Sequence, residues 1–144
     1  MIVVDASMVV KLFREEVGSE QAEQLFAENS GALCGPDLLA IEVAAALVRN
    51  ANMVKAVRPV MERALAEFAH MLREKTIATS PTSPDQLVRA ANLALELGHP
   101  LKDCVYLALA MDLDCKLITC DAKFAAKAEP VYPRARTLTR YLAA

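Results

Sequence analysis

Two short apolar runs in this chain end in a carboxylate, and together they constrain the fold more than anything else in it. Ile2-Val3-Val4 leads straight into Asp5, and Leu117-Ile118-Thr119-Cys120 leads straight into Asp121. A short continuous apolar run rich in β-branched residues reads as a strand buried on both faces, as in a parallel sheet. Helices must then cover the sheet on both sides, and the carboxyl ends of its strands face the ligand crevice. Asp5 and Asp121 stand where chemistry is expected.

The segments between follow the same plan. Ser7 is expected to cap a helix through Met8, Val9, Leu12 and Phe13. Gly18-Ser19 opens a helix to about Glu28, with Ala22, Leu25 and Phe26 at helical spacing. Ala32-Leu33-Cys34 is a strand closed by Gly35-Pro36. A strongly apolar helix runs from Leu38 to about Asn50, and another from about Lys55 to Glu74, with Pro59 near its start. Thr76-Ile77-Ala78-Thr79 is a third strand. Ser83 caps a helix that has Pro84 at its first position and reaches Leu97, where Gly98 stops it. His99-Pro100-Leu101 is a turn before a helix from about Lys102 to Asp112. The strand Lys116 to Cys120 precedes a short helix, Ala122 to Ala128. Val131 to Leu138 holds a last edge strand before a terminal helical turn. Strands alternating with helices, singly or in pairs, predict a parallel α/β sandwich. At 144 residues, one domain covering 1–144 is expected.

Composition removes several classes of function. The net charge is −2, so no global basic character points to nucleic acid. Charge is uneven: residues 115–144 carry six bases and two acids, a solvated surface or a phosphate contact. The four cysteines form no C-x-x-C pair and the two histidines are isolated, which argues against zinc. Cysteines inside apolar runs, with no charged leader before Ile2, fit a reducing cytoplasm. The longest uncharged apolar run, Cys104 to Met111, falls short of the roughly 18 residues of a membrane span.

Four carboxylates stand where an apolar residue would be cheaper. Besides Asp5 and Asp121, Glu42 lies in Leu39-Ala40-Ile41-Glu42-Val43-Ala44-Ala45-Ala46-Leu47, and Asp103 opens Asp103-Cys104-Val105-Tyr106-Leu107-Ala108-Leu109-Ala110. Taken singly, each has a structural role open to it. Asp5 and Asp121 suit helix caps, Asp103 suits a first helical turn, and Glu42 continues a face with Ala45, Ala46 and Arg49. Gathered in one crevice, unpaired carboxylates repel one another and resist burial. A hard divalent cation, Mg²⁺ or Mn²⁺, relieves both problems and suits phosphodiester hydrolysis.

In these four motifs, in their order and across nearly the whole length, the chain resembles the PIN-domain nucleases, specifically the VapC-type toxins of toxin–antitoxin pairs. Val3-Val4-Asp5-Ala6-Ser7 is similar to the family's opening strand and first acid, and Glu42 to its helical glutamate. Asp103 through Ala110 resembles its Asp-x₄-Ala-x-Ala helix. Thr119-Cys120-Asp121-Ala122-Lys123-Phe124 resembles its Thr-x-Asp-x-x-Phe ending. The resemblance implies a three-layer α/β/α sandwich with a parallel sheet of order 3-2-1-4-5. It implies an Mg²⁺- or Mn²⁺-dependent endoribonuclease that leaves a 5′-phosphate. Asp5, Glu42, Asp103 and Asp121 would hold the metal directly or through water, and Ser7 and Thr119 would orient Asp5 and Asp121. Lys11, Arg49, Lys102, Lys123 and Lys127 are expected near the acidic mouth, where they can hold RNA backbone. A cognate antitoxin and a homodimer follow by the same analogy, with the apolar helices of residues 20–70 as the contact surface. Some relatives carry a further acid or amide just after the fourth carboxylate. Here Ala122 and Lys123 stand there, and the next acid is Glu129.

The alternative is a catalytically silent PIN-like module that binds RNA or protein, against which the retained acids argue. A phosphoaspartate phosphatase wants a second Asp where Ser7 stands. A nucleotide-binding α/β domain wants a Gly-rich loop, which four scattered glycines do not make.

Overall fold

The structure is a computed structural model that describes residues 1–143. Its elements are β1 (Ile2–Val4), α1 (Ala6–Val10), α2 (Ser19–Glu28), β2 (Leu33–Pro36), α3 (Leu38–Met53) and α4 (Arg58–Arg73), then β3 (Ala78–Ser80), α5 (Pro84–Leu97), α6 (Leu101–Asp112), β4 (Lys116–Thr119), α7 (Ala122–Ala128), β5 (Ala135–Thr137) and α8 (Leu138–Ala143). The five strands form one all-parallel sheet in the order β3-β2-β1-β4-β5. This is the α/β/α layering and strand order that the resemblance implied.

The chain runs outward one way from β1 through β2 to β3, and then resumes on β1's other side with β4. The strand order therefore reverses between β1 and β4, and open parallel sheets place their ligands at such a switch point. Val3 pairs with Leu117 and Val4 with Ile118, so Asp5 leaves β1 at the level of Thr119, two residues before Asp121. Both strands lie at the sheet's centre. Val3, Val4, Leu117 and Ile118 are fully buried, which explains their unbroken apolar character.

Helix α6 crosses against β1, β2 and β4. Seven consecutive residues, Cys104 to Ala110, are buried, so this helix is apolar all round rather than along one stripe. Its first turn carries the polar residues Lys102 and Asp103, and these emerge at the carboxyl edge of the sheet.

Several boundaries differ from expectation, each for a local reason. Asp5, not Ser7, caps α1: its side chain accepts from the Met8 amide at 3.2 Å. That helix stops at Val10, so Leu12 and Phe13 lie in the turns that follow. Strand β2 includes Gly35 and Pro36, because β1 ends at Val4 and needs no donor from the proline. The ladder to β3 continues as the Asp37 amide donates to the Ser80 carbonyl at 2.9 Å. Strand β3 starts late because the Lys75 and Thr76 amides close the end of α4 on Leu72 and Met71. Helix α3 runs on to Met53, and a 3-10 turn at Lys55–Val57 precedes α4. Pro59 falls in the first turn of α4, where its missing N–H costs no helical bond.

Candidate active site

The site is built upward from Asp5. The carboxylate leaves β1 on the residue that caps α1, and it is only 5% exposed. Three donors hold it. Ser7 Oγ donates to Oδ1 at 2.5 Å, the Met8 amide donates to the same oxygen, and Thr119 Oγ1 donates to Oδ2. Thr119 is the last residue of β4, so this bond ties the two central strands together where they end. Burial pushes the Asp5 carboxyl up to about 6 against the pull of its three hydrogen bonds, and the Asp103 charge adds to the rise.

Asp121 is set by the same hydroxyls. Its amide donates to Thr119 Oγ1 at 3.0 Å, and the neighbouring Cys120 amide donates to Ser7 Oγ at 3.0 Å. Its Oδ1 caps α7 by accepting from the Phe124 amide at 3.0 Å. The two acids are thus joined through Ser7 and Thr119, each of which bonds both strand ends.

Helix α6 supplies Asp103. Gly98 ends α5 at φ +60°, a conformation that a side chain resists, and the His99 amide then closes on the Ala94 carbonyl at 3.1 Å. Pro100 leads into α6, which puts Asp103 in the helix's first turn, where the peptide dipoles favour an anion. His99 Nε2 lies 2.6 Å from Asp103 Oδ2, and the His99 ring stacks on Phe124 with centroids 4.9 Å apart.

Glu42 comes from α3. Its Oε1 accepts from Tyr106 Oη at 2.7 Å, and its Oε2 lies 3.4 Å from Lys102 Nζ. Tyr106 is 1% exposed, and burial together with Glu42 pushes its hydroxyl well above the ordinary tyrosine range, so it remains a proton donor. Asp5, Glu42, Asp103 and Asp121 all line one cavity of about 140 Å³, together with Ser7, Lys102 and Tyr106. Four carboxylates face one ammonium there. The donor set is hard oxygen with one imidazole beside it: ligand atoms of His99, Asp103 and Asp121 all lie within 4.8 Å of one another. Such a set fits a divalent cation of the Mg²⁺ or Mn²⁺ kind.

The PIN domain family model matches residues 2–130, nearly the whole chain. The chain belongs to the PIN domain family. Solved structures share its fold. PAE2754 from Pyrobaculum aerophilum is 19% identical with a TM-score of 0.67, over 99% of this chain and 93% of that one. The VapC20 toxin of Mycobacterium tuberculosis, described as cleaving the sarcin-ricin loop, is 17% identical with a TM-score of 0.69, over 88% and 94%. A chain of a toxin–antitoxin complex from Klebsiella pneumoniae is 20% identical with a TM-score of 0.60, over 96% and 98%. A search of curated proteins finds no significant match.

Next to the acidic cavity of this PIN domain lies an open groove of about 440 Å³. Ser7, Glu42, Lys102 and Asp121 line both, so one continues into the other. The groove brings in three of the five expected cations, Lys11, Arg49 and Lys102, and shows the Glu42–Ala46–Arg49 face of α3. Lys11 is already engaged, with Glu16 Oε1 at 3.0 Å and the Val17 carbonyl at 2.7 Å. Lys127 is not in the groove. Its Nζ donates to the Gly98 carbonyl at 2.8 Å and so braces the turn that carries His99. Lys123 is exposed and lines neither space.

Sequence reasoning missed two members of the PIN site, His99 and Tyr106. His99 looked isolated, yet it stands four residues before Asp103, across the start of α6. Tyr106 stands three residues after Asp103, which places it one turn along the same helix. Those offsets from a suspected acid were the available signal. The cysteines are bystanders: all four are free, three are buried, and burial pushes Cys120, at the groove, up to about 11.

Proposed function

We propose that this PIN domain is a metal-dependent endoribonuclease that hydrolyses RNA phosphodiester bonds and is the toxin of a type II toxin–antitoxin pair. The observation that carries the reading is the convergence of Asp5, Glu42, Asp103 and Asp121 on one small cavity at the sheet's switch point. The fold shared with VapC20 and with the Klebsiella complex supports it.

Asp5, Glu42, Asp103 and Asp121 would hold Mg²⁺ or Mn²⁺, directly or through water. When bound, the ion supplies an activated water and offsets charge on the scissile phosphate. The chain's own residues do the rest. Ser7 and Thr119 fix the Asp5 carboxylate, Thr119 anchors the Asp121 backbone while the Phe124 amide holds its Oδ1, and Tyr106 fixes Glu42, so the acids are in place before substrate arrives. Lys102, which lines both cavity and groove, would face the backbone phosphate next to the cut, and Arg49, in the groove alone, would hold a phosphate farther along it. Lys11 joins it only by giving up Glu16, and Lys123 and Lys127 contribute at most to the outer field.

The partners follow from the same reading. An antitoxin would set a basic side chain into the acidic cavity. A groove of about 400 Å³ lined by Leu12, Phe13, Phe26 and Met71, with Glu23 and Glu67 at its rim, suits an apolar and basic segment of that partner. Ile41, Val48 and Met53 on α3, Val54 just after it and Val60 on α4 are exposed and offer a surface for a homodimer. No helix among the described residues is long and apolar enough to cross a membrane.

Calorimetry with Mn²⁺ at neutral pH, paired with analysis of cleaved RNA ends, tests the reading. Mn²⁺ binding together with 5′-phosphate products supports it. No Mn²⁺ binding and no cleavage would favour the silent binding module.

A further inference from the structure

His99 has no place in the four-acid scheme, yet its side chain is closely held beside it. Its side chain is 8% exposed. The ring lies on Phe124 at an interplanar angle of 22°, and the turn beneath it is closed by the Ala94 carbonyl and braced by Lys127. Phe124 also gives its amide to Asp121, so one residue fixes both the imidazole and the acid opposite. The result is that Nε2 is aimed at Asp103 Oδ2 at 2.6 Å, and a ring nitrogen of His99 lies within 4.8 Å of an Asp121 oxygen as well.

A residue that merely oriented Asp103 would need to reach Asp103 alone. The imidazole instead clusters with two carboxylates from different elements, α6 and the cap of α7, each offering an atom within 4.8 Å of the others, which is the arrangement of three ligands around one ion. We propose that His99 is a nitrogen ligand of the divalent ion held by Asp103 and Asp121, and that it tilts this centre towards Mn²⁺ over Mg²⁺. The inference rests on the reading of the acidic cavity as a metal centre. An ion between the three takes the place of the hydrogen bond between Nε2 and Oδ2, with the ring's proton on Nδ1. Imidazole suits transition metals, whereas Mg²⁺ prefers oxygen and keeps its waters. Stacking on Phe124 keeps the ring from turning away, so the ligand is preorganised.

The direct test is electron spin echo modulation of Mn²⁺ bound to the wild-type protein, with His99→Gln and Phe124→Leu in parallel and calorimetry with Mn²⁺ and Mg²⁺ for each. The proposal predicts ¹⁴N coupling to Mn²⁺ in the wild type and its loss in His99→Gln. That variant should bind Mn²⁺ about tenfold more weakly, while Mg²⁺ affinity changes much less. Phe124→Leu should keep the coupling but weaken Mn²⁺ binding. Mn²⁺ bound without ¹⁴N coupling in the wild type would overturn the ligand assignment and leave the acidic metal centre standing. Equal loss of both metals in a folded His99→Gln protein would overturn the selectivity. Absence of any Mn²⁺ binding would overturn both the inference and the reading beneath it. Because the wild-type spectrum decides the ligand question, a variant that fails to fold does not protect the proposal.

Discussion

Asp5 concentrates the cost of the site in one residue. Its carboxyl is held at about 6 against an ordinary 3.8. The folded chain therefore binds this proton more tightly than the unfolded chain between about pH 4 and 6, and the stability drawn from Asp5 declines as pH rises through that window. In chelator at pH 7.5, Asp5→Asn should be more stable than the wild type by on the order of 2–3 kcal/mol, and the gap should shrink to less than half of that near pH 4.5. Urea titrations at the two pH values check this; a gap independent of pH contradicts it. The same variant should lose RNA cleavage, since stability and function pull in opposite directions here. Thr119 works the other way. It is fully buried and serves Asp5 as donor and the Asp121 amide as acceptor. Thr119→Val keeps the shape and removes both bonds, so it should cost roughly 1–3 kcal/mol in thermal or urea unfolding. It should also reduce cleavage by tenfold or more, through misplaced acids rather than lost chemistry.

At the level of elements, each acid is delivered by a segment whose own local needs it also meets. Asp5 and Asp121 are helix caps as well as cavity residues, so a capping role does not exclude the proposed one. Asp103 sits where the α6 dipole wants an anion. Much of this was legible in the sequence. β1, β4, the caps at Ser83 and Gly98, and the span of α7 follow from β-branched runs and from turn chemistry that acts locally. The departures have non-local causes. Ser7 reads as a cap, but a hydroxyl that reaches both strand ends bonds Asp5 and Cys120 instead. His99 and Tyr106 went unread because their roles depend on Phe124 and Glu42, 25 and 64 positions away in the chain. Gly98 is the element-scale lever on His99. A Cβ there meets no atom within 4 Å, yet φ is +60°. Gly98→Ala should therefore cost about 1 kcal/mol from backbone strain alone, read as a lowered unfolding midpoint with no change in m.

Across the whole molecule, the sheet order decides what can meet. Only because β4 returns beside β1 do acids more than a hundred residues apart share Ser7 and Thr119, with α3 and α6 closing the cavity from either side. The sequence pattern announced strands and helices but left their order open, and the resemblance to a known family supplied it. The exposed apolar residues of α3 and α4 make a whole-molecule prediction: light scattering at high concentration should return the mass of a dimer, and a strict monomer would count against that surface. Cleavage of a total-RNA panel by the wild type and Asp103→Asn side by side, in Mg²⁺, Mn²⁺ or chelator, decides whether the four converging acids are the metal centre of a nuclease. Discrete cuts by the wild type are expected in either metal, with none in chelator and none by the variant. Cutting that survives in a folded Asp103→Asn protein, or that persists in chelator, would contradict that assignment.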